Sequence, residues 1–278
     1  MFSKKKLHFL FLAAAMVWAN VAGWLFVIFA NQKLSVVEMG NLGSYTNIIT
    51  LASIVSVAIG VTANRYHSLY VSKMQIKKFG YTASIGYLAF TIGIVSFAAY
   101  ILLAPYWTQM FNFPMHNRIL LISGLVFAIM FPVAWYRAIL QSNARFQLVA
   151  IGLLLEGIAK LAIGYWASLT NDSYELFLSA MTISSLIPLL IMWALSSKQI
   201  KEIYKHPRPL KRAHLVFLYQ ALVQRVGVIL LFTIDILFAK YYLDPDHAGI
   251  YALLSVSGKA LYFITQTIYV LTTPLLSP

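Results

Sequence analysis

Five residues inside long apolar segments carry chemistry that hydrocarbon does not tolerate: Glu156, Lys160, Arg225, Asp235 and Lys259. A charge at bilayer depth costs at least ~2.5–3.5 kcal/mol, so such a side chain faces a partner or a water-filled cavity. Glu156 and Lys160 lie four apart, on one face of a helix. They either neutralise each other or line a cavity that handles charge. Asp235 and Lys259 sit on two segments joined by the short acidic turn Asp244-Pro245-Asp246. At ~1.5 Å per residue, Asp235 lies ~6 Å and Lys259 ~15 Å below the outer boundary, a gap that a lysine stem spans. That pairing is structural or gating. Arg225 lies deeper and has no acidic residue in helical register. A planar guanidinium suits bidentate phosphate binding, and it also serves helix packing or snorkelling. Asn20, Gln220, Gln224, Ser255, Ser257 and Gln266 fall at similar depth. Singly each is interhelical glue, and together they indicate a hydrated interior in the first, seventh and eighth helices.

The elements that must position these groups are spans. Sixty per cent of the 278 residues are hydrophobic, 10% are charged and the mean hydropathy is +0.77. A soluble domain carries roughly 25% charged residues. The chain therefore reads as an all-α, polytopic helical membrane protein. About eight spans are expected, near 7–30, 45–64, 81–104, 119–140, 146–168, 174–195, 216–239 and 249–272. The first follows Lys4, Lys5 and Lys6 but is too long for a signal-peptide core of ~7–15 residues, so it reads as a retained span. Pro132 and Pro188 fall inside spans and are expected to kink them.

Fifteen of the 21 basic residues fall on one side of the alternation, in the N-terminus and the loops around Arg65–Lys78, Arg137–Arg145 and Lys198–Arg212. The positive-inside rule puts that side, and the N-terminus, in the cytoplasm. The other side holds Lys33, Arg118 and Lys240, with Tyr106, Trp107, Tyr241 and Tyr242 as an aromatic belt. The net charge of +13 is spread over short loops between apolar segments, so nucleic acid is not an expected partner.

The expected domains are a six-helix lobe over 1–195, a basic cytoplasmic linker over 196–214 and the first two helices of a second lobe over 215–278. An internal repeat supports the division. Phe29-Ala30, Leu34 and Gly40 recur as Phe238-Ala239, Leu243 and Gly249, six spans later. An even number of spans keeps both copies in one orientation, which makes a parallel repeat. On that reading the second lobe is cut short, the pattern of a truncated chain.

Several chemistries find no support. Cysteine is absent, so there is no thiolate metal site. The six histidines lack metal-ligand spacing, and no nucleophile, base and orienter group occurs, so no enzyme, metal or cofactor is expected. Gly258-Lys259 lacks the earlier glycine of a P-loop. Asn171-Asp172-Ser173 matches a glycosylation sequon, a frequent accident.

Four places carry a resemblance: Leu34 to Gly40; Arg137 to Gln141 with Arg145-Phe146; Glu156 with Lys160; and Asp235 through Ala248-Gly249-Ile250-Tyr251 to Gly258-Lys259. In these the chain resembles the O-antigen and capsule flippases of the multidrug/oligosaccharidyl-lipid/polysaccharide (MOP) exporter superfamily. The resemblance implies two six-helix lobes around a cationic cavity in a bacterial inner membrane. It implies a polyprenyl-pyrophosphate-linked oligosaccharide as substrate, moved to the outer leaflet for O-antigen, capsule or exopolysaccharide synthesis. It also implies a polysaccharide polymerase, other assembly proteins and membrane lipids as partners. Arg225, Lys259 and Lys160 would then be substrate-binding cations, with Asp235 and Glu156 as pairing or gating acids. The chain departs from the family in length, since spans nine to twelve are missing. The alternatives are a cation-coupled multidrug extruder of the same superfamily and a membrane-embedded sugar-transfer enzyme.

Overall fold

The computed structural model describes residues 4–75, 78–111, 117–170, 173–204, 207–255 and 258. Every regular element among them is helical. The order is α1 (Lys4–Lys33), α2 (Val36–Ser72), α3 (Phe79–Leu102), α4 (Ala104–Phe111), α5 (Asn117–Ser142), α6 (Phe146–Leu169), α7 (Ser173–Tyr204) and α8 (Arg212–Tyr242). Residues 245–255 form a further helical segment. Seven described helices are long and apolar enough to cross a membrane, so this is a multi-pass membrane protein. The eighth expected span is described only at its start.

Helix limits depart from the sequence expectation where polar residues continue a helix. The first loop, expected over 31–44, is a two-residue turn. Ser35 caps α2, its hydroxyl accepting from the Glu38 N–H at 3.3 Å while the Glu38 carboxylate accepts from the Ser35 N–H at 2.8 Å. This reciprocal capping box satisfies donors that a helix start leaves open, and it makes α2 a 37-residue rod. The expected linker also begins as helix, because α7 runs to Tyr204. The eight-residue α4 was not expected.

The bundle is organised around α5, where 61% of the membrane window is buried against 22% in α6. α2, α3 and α7 pack on α5, while α6 lies between α1 and α7. One apolar cluster groups Leu12, Ile59, Phe131, Trp135, Ile139 and Met192. A second, toward the other end, groups Phe26, Tyr45, Tyr100, Phe127 and Phe177. Pro132 and Pro188 lie inside α5 and α7. Pro188 and Met192 of α7 meet α6 at Gly152.

α8 packs along α2. At one end the chain before α8 is clasped to α2 and α3. The Arg208 N–H donates to the Gly80 carbonyl at 3.1 Å and the Ser84 hydroxyl to the Arg208 carbonyl at 2.6 Å. The Tyr66 hydroxyl donates to the Ala213 carbonyl at 2.9 Å. His214 is buried, accepts at Nδ1 from the Lys211 N–H at 3.1 Å and meets the Tyr70 hydroxyl through Nε2 at 2.8 Å. Its Nε2 therefore carries the proton in the neutral ring.

At the other end α2 meets the segment after α8. A Cβ on Gly40 would lie 3.1 Å from the Gly249 Cα, and one on Gly43 would lie 3.3 Å from the Ala252 Cβ. Both contacts join residues at the offset of the sequence repeat. Residues that touch their own counterparts, in the same chain direction, are what a two-fold axis along both helices produces. The two copies differ in surroundings: Leu34 is buried, whereas Leu243 and Phe238 are 45% and 53% exposed.

Candidate functional site

The charged residues within the spans fall into two groups. The first lies between α5 and α6. Glu156, read as either neutralised by Lys160 one turn along or lining a cavity with it, accepts a hydrogen bond from Arg137 Nη2 at 2.6 Å. The two side chains are 29% and 20% exposed, and the Arg137 Nε is buried without an acceptor. Helical spacing alone puts Glu156 and Lys160 on one face, but a planar guanidinium reaching across from α5 makes the shorter charge-assisted bond. Lys160 is half-buried on α6 and makes no ion pair among the described residues. The sequence had placed Arg137 with the inner-side cations and missed its pairing, which depends on how α5 and α6 converge.

The second group lies on α8 and the segment that follows. The Asp235 carboxylate accepts from the Ser255 hydroxyl at 2.9 Å and from the Tyr251 hydroxyl at 3.4 Å. These bonds tie α8 to the following helix, across the hairpin read from the sequence. Because α8 extends to Tyr242, Asp235 lies seven residues, ~10 Å, from its end. Its pairing with Lys259 lies outside the described residues, as do Lys259, Ser257 and Gln266. Arg225 is half-buried and has no acidic partner among the described residues. Gln220 and Gln224, the neighbouring polar positions, are exposed. Lys160 and Arg225 are not brought into one cluster: α6 packs on α1 and α7, and α8 on α2.

Two polar groups in the seam went unnoticed in the sequence. Lys240, counted there among the outer-side cations, is only 6% exposed and its Nζ has no hydrogen-bond partner. Asn41 is 1% exposed, with Oδ1 likewise unpartnered. Lys240 lies inside α8, which continues two residues past it to Tyr242 where a loop was expected.

Outside the spans, Asp244 caps the helical segment 245–255. It accepts from the His247 N–H at 3.3 Å and pairs with His247 Nδ1 at 2.6 Å. The His247 amide, more than any other cause, lowers the Asp244 carboxyl below its ordinary range. No group of three or more His, Cys, Asp or Glu residues able to hold a metal occurs among the described residues.

No protein-family model matches the chain. No curated protein matches it in sequence. Among solved structures it is similar to a MOP superfamily transporter from Pyrococcus furiosus Vc1 (DSM3638), described as having a binding pocket of reverse polarity. That match has 12% identity and a TM-score of 0.62 and covers 94% of this chain. A multidrug resistance MATE family transporter of the MOP superfamily, in its outward-facing conformation, matches at 11% identity and the same TM-score and coverage. The chain spans 66% of the length of each. The chain has the fold of MOP superfamily transporters.

Proposed function

We propose that the chain acts in a flippase that moves a polyprenyl-pyrophosphate-linked oligosaccharide from the cytoplasmic to the outer leaflet. The observation that carries this reading is Arg225, half-buried on a membrane-spanning helix with no acidic partner among the described residues. Moving a pyrophosphate bare through hydrocarbon is prohibitive, because charges there must be paired or hydrated. A fixed guanidinium beside a transport path lowers that cost and grips phosphate oxygens two at a time. Lys160 supplies a second cation without an ion pair among the described residues. Asp235 holds the hairpin that carries Arg225, through Ser255 and Tyr251.

In this reading residues 1–195 form one lobe, 196–214 the link and 215–278 the start of a second lobe related by the 209-residue repeat. The protein sits in a bacterial inner membrane with its N-terminus in the cytoplasm, and it works beside a polysaccharide polymerase. The test is surface-glycan export by Arg225→Gln and Lys160→Gln at wild-type abundance in the membrane. Arg225→Gln is expected to abolish most export and Lys160→Gln to reduce it. Normal export by both refutes the reading.

A second reading, a cation-coupled multidrug extruder, is favoured by the similarity to a multidrug MATE transporter. It predicts that removing Arg225 spares glycan export and leaves or raises efflux of cationic drugs.

A further inference from the structure

At one end of the bundle, α1 begins beside the turn that joins α5 to α6. The turn is tight. Ala144 adopts φ +56°, and the Arg145 N–H returns to the Leu140 carbonyl at 2.8 Å. The reversal leaves a cleft of about 290 Å³ lined by His8, Ala144, Arg145, Gln147 and Leu148. None of the five is acidic. The side chains of His8, Arg145 and Gln147 make no hydrogen bond or ion pair to the protein among the described residues.

Three further features bear on what this cleft takes. α6 starts at its edge with no side-chain cap on its first turn; the Leu148 N–H there donates to the Arg145 carbonyl at 3.2 Å, which leaves the Gln147 N–H available. Lys4, Lys5 and Lys6 precede His8 on the same chain. Beyond the cleft, toward the span, Leu10, Phe11, Ile151 and Leu155 are exposed apolar residues on α1 and α6. Cationic and amide donors at the helix ends, above an apolar flank, match a lipid with an anionic phosphate head and acyl tails. Basic pockets between membrane helices hold headgroups in this way, and a guanidinium is suited to phosphate oxygens.

We propose that this cleft binds the anionic phosphate headgroup of a membrane phospholipid, with Arg145 as the main ligand and Gln147 and His8 beside it. The site lies apart from Arg225 and Asp235, and it stands or falls independently of what the protein transports. The simpler account is the general attraction between basic loops and anionic lipid, in which every loop cation contributes alike.

The test places the purified chain in phosphatidylcholine nanodiscs doped with phosphatidylglycerol and measures retained phosphatidylglycerol by native mass spectrometry. Arg145→Gln is expected to weaken retention about fivefold, the scale of one basic contact at a membrane surface. Lys73→Gln removes an exposed cation of the α2–α3 loop that does not line the cleft, and is expected to leave retention unchanged. Equal losses in the two variants overturn the site in favour of general attraction. Full displacement of phosphatidylglycerol by inorganic phosphate overturns the lipid assignment in favour of a soluble anion. If Arg145→Gln does not reach the membrane, His8→Ala combined with Gln147→Ala carries the same comparison, and unchanged retention there overturns the proposal.

Discussion

Gly249→Ala and Gly227→Ala add the same methyl group to helical residues, and the structure assigns them opposite signs. A Cβ on Gly249 would lie 2.4 Å from the Val36 carbonyl oxygen, 2.6 Å from Val36 Cγ1 and 3.0 Å from the Val36 carbonyl carbon. Ordinary contact begins at 3.4 Å, so about 1 Å must come from moving the first turn of α2. That turn is backbone, fixed by the Ser35–Glu38 box, and it cannot yield by a change of rotamer. Overpacking of this kind costs up to ~3 kcal/mol, and the better helix propensity of alanine returns ~1. The net expectation is a loss of ~2 kcal/mol. At Gly227 nothing lies within 4 Å of the added carbon, so only the propensity gain of ~1 kcal/mol applies. Thermal unfolding in one detergent, followed by fluorescence of the six tryptophans, reads both. At ~2–4 °C per kcal/mol, Gly249→Ala should melt ~4–8 °C below wild type and Gly227→Ala slightly above it. A Gly249→Ala protein that melts at or above wild type refutes the close seam between α2 and the segment after α8.

Three other expectations follow from described contacts. Glu156→Gln should destabilise by ~1–3 kcal/mol, less than the ~3–5 of a fully buried pair, because it strands a guanidinium whose Nε already lacks an acceptor. The double variant Arg137→Gln/Glu156→Gln should recover part of that loss, and an additive cycle denies the coupling. Asp244 has a depressed carboxyl, so its cap is fully present above the ordinary value of 3.8 and is lost as pH falls through the lower folded value. Amide exchange in 245–248 should accelerate over that acid limb in wild type but not in Asp244→Ala. The chain has no native cysteine, so Lys73→Cys and Asp246→Cys report sidedness directly. An impermeant thiol reagent applied to spheroplasts should modify only Asp246→Cys, and the reverse pattern inverts the proposed orientation.

Helix class and seven of the expected spans were legible because apolar runs of span length admit few other folds in a membrane. The repeat remains a reading of four identities, and two contacts join residues at its offset, Gly40 with Gly249 and Gly43 with Ala252. Helix limits were not, since hydropathy stops at the hydrocarbon edge while α2 and α7 continue into polar sequence. The signal for α2 was present in Ser35 and Glu38, whose spacing is that of a capping box. The partner of Glu156 was not legible. Helical periodicity offers Lys160, and only the convergence of α5 on α6 offers Arg137. The burial of Lys240 was hidden for a related reason: a lysine two residues from a helix end reads as an interfacial cation unless a neighbouring helix is known to cover it. The cleft at Arg145 needed three-dimensional proximity, because His8 is remote from it in the chain.

The clasp at the start of α8 has a mechanical consequence. Gly80, Ser84, Tyr66 and Tyr70 hold the chain at Arg208, Ala213 and His214, which makes that end of α8 a fixed pivot. The helix beyond it is 31 residues long, a lever of ~45 Å at 1.5 Å per residue. A swing of about 10° around the pivot would carry the far end ~8 Å, more than the 3.1 Å at which a Cβ on Gly40 would meet the Gly249 Cα. A rotation of α8 about this clasp would leave the hydrogen bonds at the near end intact and would have to open the close contact of Gly40 with Gly249 just past the far end.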